Sequence, residues 1–258
     1  MWDVVGNKKA SIDLNKMKPS LLKRFLQLPN STPSDAVLYE FGMNDLSLDI
    51  LMEKVILAVE TLSRVDEIER LAKKLLTSLL AKNVPGFCSE LQEACGLLGV
   101  SLSDLIGEKD VRKLLKMKVV KIQAEELYKR MMLSSKMDGI LLNGFQFSGK
   151  PKKYLSELDF DEARVVFMVR YRMLPSKSNF PGRWSGTACN ICGFDDTDAH
   201  LFHCPGYQDL IPENVTYDMF WNNEVLNDTE RLRHAAGAAL GIVERLEEIQ
   251  NMDFKKCC

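Results

Sequence analysis

Residues 189–204 read CNICGFDDTDAHLFHC, which places Cys189, Cys192, His200 and Cys204 in the spacing C-x2-C-x7-H-x3-C. Thiolate and imidazole are donors that zinc accepts, held tetrahedrally at about 2.3 Å for sulfur and about 2.0–2.1 Å for nitrogen. A C-x2-C turn sets two sulfurs on one side of an ion, and Gly193 supplies the positive φ that such a turn often needs. His200 and Cys204 are four apart, so one helical turn brings them to the same face. His203 is the rival imidazole. It adjoins Cys204, and adjacent side chains point apart, which makes His200 the better ligand. Four protein ligands close the shell and leave no position for water, so the expected chemistry is structural zinc and not catalytic zinc. Such a site contributes about 10–16 kcal/mol of apparent binding free energy to an otherwise weakly packed unit.

The charges around the motif are segregated. Asp195, Asp196 and Asp198 lie inside it, and from Trp184 to Glu230 there are nine acidic residues and no Lys or Arg. A module this acidic repels phosphate unless basic neighbours outweigh it. Those neighbours stand upstream, with nine basic and three acidic residues from Lys109 to Lys136. Arg112, Lys113, Lys116, Lys121, Lys129, Arg130, Lys152, Lys153, Arg170, Arg172 and Arg183 are the candidates for backbone contact with a nucleic acid. Lys150 and Arg164 extend the same basic set. Tyr128, Tyr154, Tyr171 and Trp184 offer stacking faces to unpaired bases, with core packing as the competing reading.

The elements that must position these residues read as almost all helix. Apolar steps of three and four run from Ser47 to Lys82 through Leu48, Leu51, Val55, Leu62, Leu71 and Leu75, describing one long helix with Ser47 as its N-cap. Phe87–Leu98 gives a short helix stopped at Gly99, with Cys88 and Cys95 on one face for core packing. Glu108–Met137 reads as a long helix with basic residues opposite its apolar face. Residues 143–153 form a loop, and Phe160–Leu174 a compact helix with Asp159 or Asp161 near its N-cap. Asp228–Met252 closes the chain, and Gly237 and Gly241 on it are spaced to let another helix approach. The fold class expected is all-α, a multi-helix domain with a small Cys3His zinc knuckle near the C-terminus. Apolar content of 46% and charged content of 27% are those of a soluble globular protein. No signal peptide or membrane span is read, and seven cysteines, an odd number, fit a reducing compartment, so an intracellular protein, nuclear or cytoplasmic, is expected.

The order of the motifs resembles a known family. "RFLQLPNSTPSDAVLYEFGM" (24–43), a long helix, "ELQEACGLLGV" ending at Val100, a basic helix and "ARVVFMVRYRMLPSKSN" (163–179) precede the Cys/His cluster. That succession is similar to the region that follows the polymerase core in non-LTR (LINE-type) retrotransposon reverse transcriptases. In that family an LP-x-S-T/S-like segment and a Leu/Phe-Gly pair follow the catalytic domain, and an arginine-containing helix precedes a CCHC knuckle. The His-to-Cys gap is three residues here, where the family often has four. The polymerase box is missing: Phe194-Asp195-Asp196 is the one Asp-Asp pair preceded by an aromatic, and it lies inside the knuckle behind Gly193. The 54 residues after Cys204 leave no room for an endonuclease domain.

The resemblance implies an N-terminal extension (1–20), a helical thumb- or connection-like region (21–183), the knuckle (184–215) and a C-terminal helix and tail (216–258). It implies a non-enzymatic zinc protein that binds RNA or DNA, with single-stranded or structured RNA favoured. A helical scaffold for a protein partner, with purely structural zinc, is the alternative, as is a decayed fragment of an element. The terminal Lys255-Lys256-Cys257-Cys258 resembles the lipidation signal of Rab-type GTPases, but the chain has no phosphate loop to go with it.

Overall fold

The computed structural model describes residues 8–63, 67–82, 84, 86–180 and 186–250. The helices are α1 (Lys8–Phe25), α2 (Ser34–Glu40), α3 (Leu46–Ser63), α4 (Glu67–Ala81), α5 (Phe87–Leu98), α6 (Leu102–Leu105), α7 (Val111–Met131), α8 (Asp138–Leu142), α9 (Tyr154–Glu157), α10 (Phe160–Arg170), α11 (Asp198–Leu201), α12 (Asn223–Leu226) and α13 (Thr229–Gln250). Among the described residues the one β pairing is an isolated antiparallel bridge, Ala188 to Asp195. None of their helices is long and apolar enough to cross a membrane. The chain is mostly helical, and the Cys/His cluster is followed by α13 rather than standing at the very end.

The chain forms two compact units, one within residues 1–19 and 44–127, the other within 20–43 and 128–258. This partition differs from the four consecutive segments expected. Residues 20–43 join the later part of the chain, and residues before 20 help hold the start of α3.

In the first unit Leu51, Val55, Leu62, Leu91, Leu98, Leu115 and Val119 form one core from α3, α5 and α7. Lys54 of α3 and Glu90 of α5 make a buried ion pair across it. The stripe read as one helix from Ser47 to Lys82 is two helices, α3 and α4, packed against each other. The break resets the phase of the stripe: Leu76 turns into the core, while Leu71 and Leu75 are exposed. Helix α3 begins at Leu46, ahead of the expected Ser47 cap. Ser47 instead donates its backbone N–H to Asn15 Oδ1 at 3.0 Å, and Lys18 pairs with Asp49. Helix α5 has the predicted bounds and ends at Gly99 in the left-handed region, φ 59°. Cys88 and Cys95 are buried on it, as core packing requires.

In the second unit α10 lies against α13. Asp159 caps α10 by accepting from Glu162 N at 2.9 Å, and Glu162 answers at Asp159 N at 3.1 Å. The close approach expected of Gly237 and Gly241 is made by other residues. Gly237 faces open space and Gly241 meets only Leu210, whereas Ala235, Ala236 and Ala239 are fully buried. Behind α10 sits a buried carboxylate, Glu40. It accepts from Arg170 Nε at 2.9 Å and Nη2 at 2.8 Å, and from the Tyr171 hydroxyl at 2.8 Å. Arg170 also donates to the Phe220 carbonyl, and Trp221 Nε1 donates to Arg170 O at 3.0 Å. One ion pair therefore ties α2, α10 and the 217–221 turn together.

Candidate metal centre

The turn that carries the first two ligands closes on itself. Cys189 N donates to Phe194 O at 2.6 Å, and Gly193 N to Cys189 O at 3.0 Å. Gly193 has φ +78°, the left-handed value its position called for. The second pair of ligands comes from α11 and the turn after it. Thr197 caps α11 by accepting from His200 N at 3.1 Å. The donor atoms of Cys189, Cys192, His200 and Cys204 all lie within 4.8 Å of one another and could hold a metal ion. His203 is exposed and outside the group.

The spacing of these atoms fits the chemistry of the donor set. A tetrahedron with metal–sulfur bonds of about 2.3 Å has sulfur–sulfur edges of about 3.8 Å. The Cys189–Cys204 and Cys204–Cys192 sulfurs are 3.8 and 3.7 Å apart. Cys192 Sγ is 3.2 Å from His200 Nε2, a little inside the corresponding edge. Burial pushes the Cys204 thiol up to about 12, while the Phe194 backbone holds Cys192 below the ordinary thiol value.

The centre is bolted to its surroundings on three sides. Asp196 accepts from Lys177 N at 3.0 Å, and its carbonyl from Ser178 N at 3.1 Å. Asp198 accepts from Ser176 Oγ and Asn179 Nδ2, each at 2.6 Å, and from Leu174 N at 3.2 Å. Burial raises the Asp198 carboxyl to about 7, and these donors work against that shift. Lys177, buried, donates to Ala188 O at 2.5 Å and Asn190 Oδ1 at 2.7 Å. On the far side Arg245 of α13 grips Asp209 with both terminal nitrogens, at 2.6 and 2.8 Å, and donates to Gly206 O at 3.0 Å. Two of the three aspartates read as a phosphate-repelling patch thus face inward as hydrogen-bond acceptors. Only Asp195 is exposed.

The basic candidates fare unequally. In the first unit Arg112, Lys113, Lys116 and Lys121 are exposed on α7, but Arg112 is held by Glu53 at 2.6 Å and by Glu60 at 3.9 Å. In the second unit Lys129, Lys153 and Arg172 are exposed. Arg130 pairs with Asp35 at 2.9 Å, and the Lys152 ammonium lies 4.6 Å over the Tyr39 ring. Arg170 is a correction: at 3% exposure, with its guanidinium committed to Glu40, it presents nothing to a ligand. Tyr154 and Tyr171 are corrected likewise, since both rings are fully buried and offer no stacking face. Tyr128 is exposed and packs on Phe145, with ring centroids 5.5 Å apart. Arg183, Trp184 and the terminal Cys257 and Cys258 lie outside the described residues.

Sequence reasoning passed over one aromatic. Phe194 is 71% exposed, with its ring centroid 6.3 Å from that of His200. A large apolar ring at the tip of a polar turn was the available signal. No family model, curated protein or solved structure matches the chain.

Proposed function

We propose that the protein is a non-enzymatic, zinc-stapled helical module that binds single-stranded nucleic acid, RNA above DNA. Cys189, Cys192, His200 and Cys204 hold the zinc, which fixes the fold of the second unit and performs no chemistry on a substrate. The observation that carries the nucleic-acid reading is the arrangement around that centre. Asp196 and Asp198 are turned inward, so the objection from acidity weakens, and Phe194 stands out as an uncovered ring on which a base can stack. Lys150, Lys153 and Arg172, exposed in the same unit, supply phosphate contacts. The resemblance to the post-polymerase region of LINE-type reverse transcriptases supports the same reading through motif order.

The test is fluorescence anisotropy with a labelled 12-nucleotide single-stranded RNA and the full zinc-loaded chain. Affinity should fall steeply between 50 and 200 mM salt, by about tenfold or more for three or more phosphate contacts. Absence of binding at 50 mM salt would remove the proposal. A second reading, a scaffold for a protein partner, is favoured by a different feature. The first unit has an apolar cavity of about 540 Å³, lined by Leu57, Leu75, Leu79 and Phe87 among others. That reading predicts capture that salt does not weaken.

A further inference from the structure

Next to the metal centre, within the second unit, lies a cavity of about 490 Å³ lined by two cationic side chains and one carboxylate. Lys136 and Arg172 line it, and Ser135, Ser178, Asn179 and Tyr217 add hydroxyl and amide groups. The 197–199 turn, just before the ligand His200, forms one wall. The acidic group in that wall is Asp198, and it is already engaged by Ser176, Asn179 and the Leu174 backbone. Arg172 is exposed, and its side chain is in hydrogen-bonding reach of the Tyr217 hydroxyl.

A second observation concerns the backbone of Arg172. It has φ +50°, one of two non-glycine residues in the left-handed region among those described. It ends α10: Arg172 N donates to Val169 O at 3.1 Å, and Met173 N to Met168 O at 2.8 Å. This is the helix-ending position at which glycine is preferred, because a Cβ is strained there. Glycine would serve the backbone better. What it lacks is a cationic side chain, and Arg172 lines the cavity. Strain retained at a cavity wall is what a binding residue leaves behind.

We infer that Lys136 and Arg172 form a phosphate cradle, walled by the metal-bearing turn, that seats a phosphodiester of the bound single strand. Arg172 supplies a planar fork of donors for two phosphate oxygens, and Lys136 adds a point charge in the same cavity. Ser178 and Ser135 complete the donor set. The cradle explains why the metal centre is bolted to residues 174–179: that anchoring holds Ser178 and Asn179 in the wall. The inference rests on the nucleic-acid reading for the identity of the phosphate, and its own chemistry is that of any phosphate oxygen.

The test uses the full zinc-loaded chain and two probes. Inorganic phosphate, followed by NMR, should shift the Arg172 Nε–Hε signal, and Arg172→Gly combined with Lys136→Gln should abolish saturable phosphate binding. The 12-nucleotide RNA should bind this double variant about tenfold more weakly, with the salt slope smaller by about 1.4 for two lost single-strand contacts. Arg172→Gly alone should melt at or above the parent temperature while losing affinity, which a purely structural role for Arg172 does not predict. Arg172→Lys should restore part of the affinity. If RNA binds and the double variant binds it equally, the cradle is overturned and the nucleic-acid reading stands. If RNA fails to bind but phosphate still shifts Arg172, the cradle stands and the nucleic-acid reading falls. No phosphate-induced shift at Arg172 overturns the cradle outright.

Discussion

Tyr171 and Tyr154 stand on either side of what a residue type can announce. Both were candidates for stacking on a base, and both are buried beside Glu40. A tyrosine's spacing in sequence is the same whether its ring faces solvent or a carboxylate contributed by a helix 131 residues away. Arg170 was misplaced for the same reason, since its partner Glu40 is 130 positions distant. The Cys3His cluster was legible because its spacing is local: two short turns bring all four potential donors together without any distant partner. The buried phenols carry a pH dependence. Burial, and then the Glu40 charge, hold both well above the ordinary phenol value, although Arg170 opposes this. The unfolded chain releases those protons near pH 10 while the native state keeps them, so native protein binds more protons above that pH. Stability contributed by these groups is therefore complete below pH 10 and is lost as pH rises, by up to about 1.4 kcal/mol per unit for each phenol. Urea midpoints taken from pH 8 to 11.5 should show this decline, and Tyr171→Phe or Tyr154→Phe should flatten it. Equal slopes in parent and both variants would contradict the assignment.

Elements announced themselves where their ends carried local chemistry. Helix α5 stops at Gly99, and α10 starts at the Asp159–Glu162 box, as their sequences specify. The division between α3 and α4 went unread because the apolar stripe continues across it, and only tertiary packing decides which leucines of the second half are covered. The turn after α2 is another tertiary decision. Gly42 has φ +59°, and a Cβ there would overlap the backbone of Lys150. The same junction joins Lys152 N to Glu40 O at 2.8 Å. Gly42→Ala should therefore incur the left-handed penalty and an overpacking penalty, together about 3 kcal/mol. Gly144→Ala is the control: its φ is +89°, but nothing lies within 4 Å of the added carbon, so it should lose only about 1–2 kcal/mol. Chemical denaturation of the two variants separates these contributions, and equal losses would show that the Lys150 contact is not what fixes glycine at position 42.

At the scale of the whole molecule, the division into two units sets how far the metal's influence reaches. The first unit has its own core on α3, α5 and α7 and a buried Lys54–Glu90 pair, all formed by residues of that unit. In the second unit the four ligands are connected through Asp196, Asp198 and Lys177 to residues 174–179, and through Arg245 to α13. Binding free energy at a zinc site is folding free energy for whatever the site holds in place. Chelation should therefore raise amide exchange in residues 174–179 and 187–210 and leave α3 and α5 protected. Cys192→Ser should reproduce that pattern and lose the metal, because three remaining ligands leave the shell open. Hydrogen–deuterium exchange read by mass spectrometry, with zinc quantified on the same samples, decides both points. Stoichiometric zinc in Cys192→Ser would break the ligand assignment. Equal loss of protection in α3 and α5 would mean that the metal supports the first unit as well, through a coupling that the separate core of that unit gives no reason to expect.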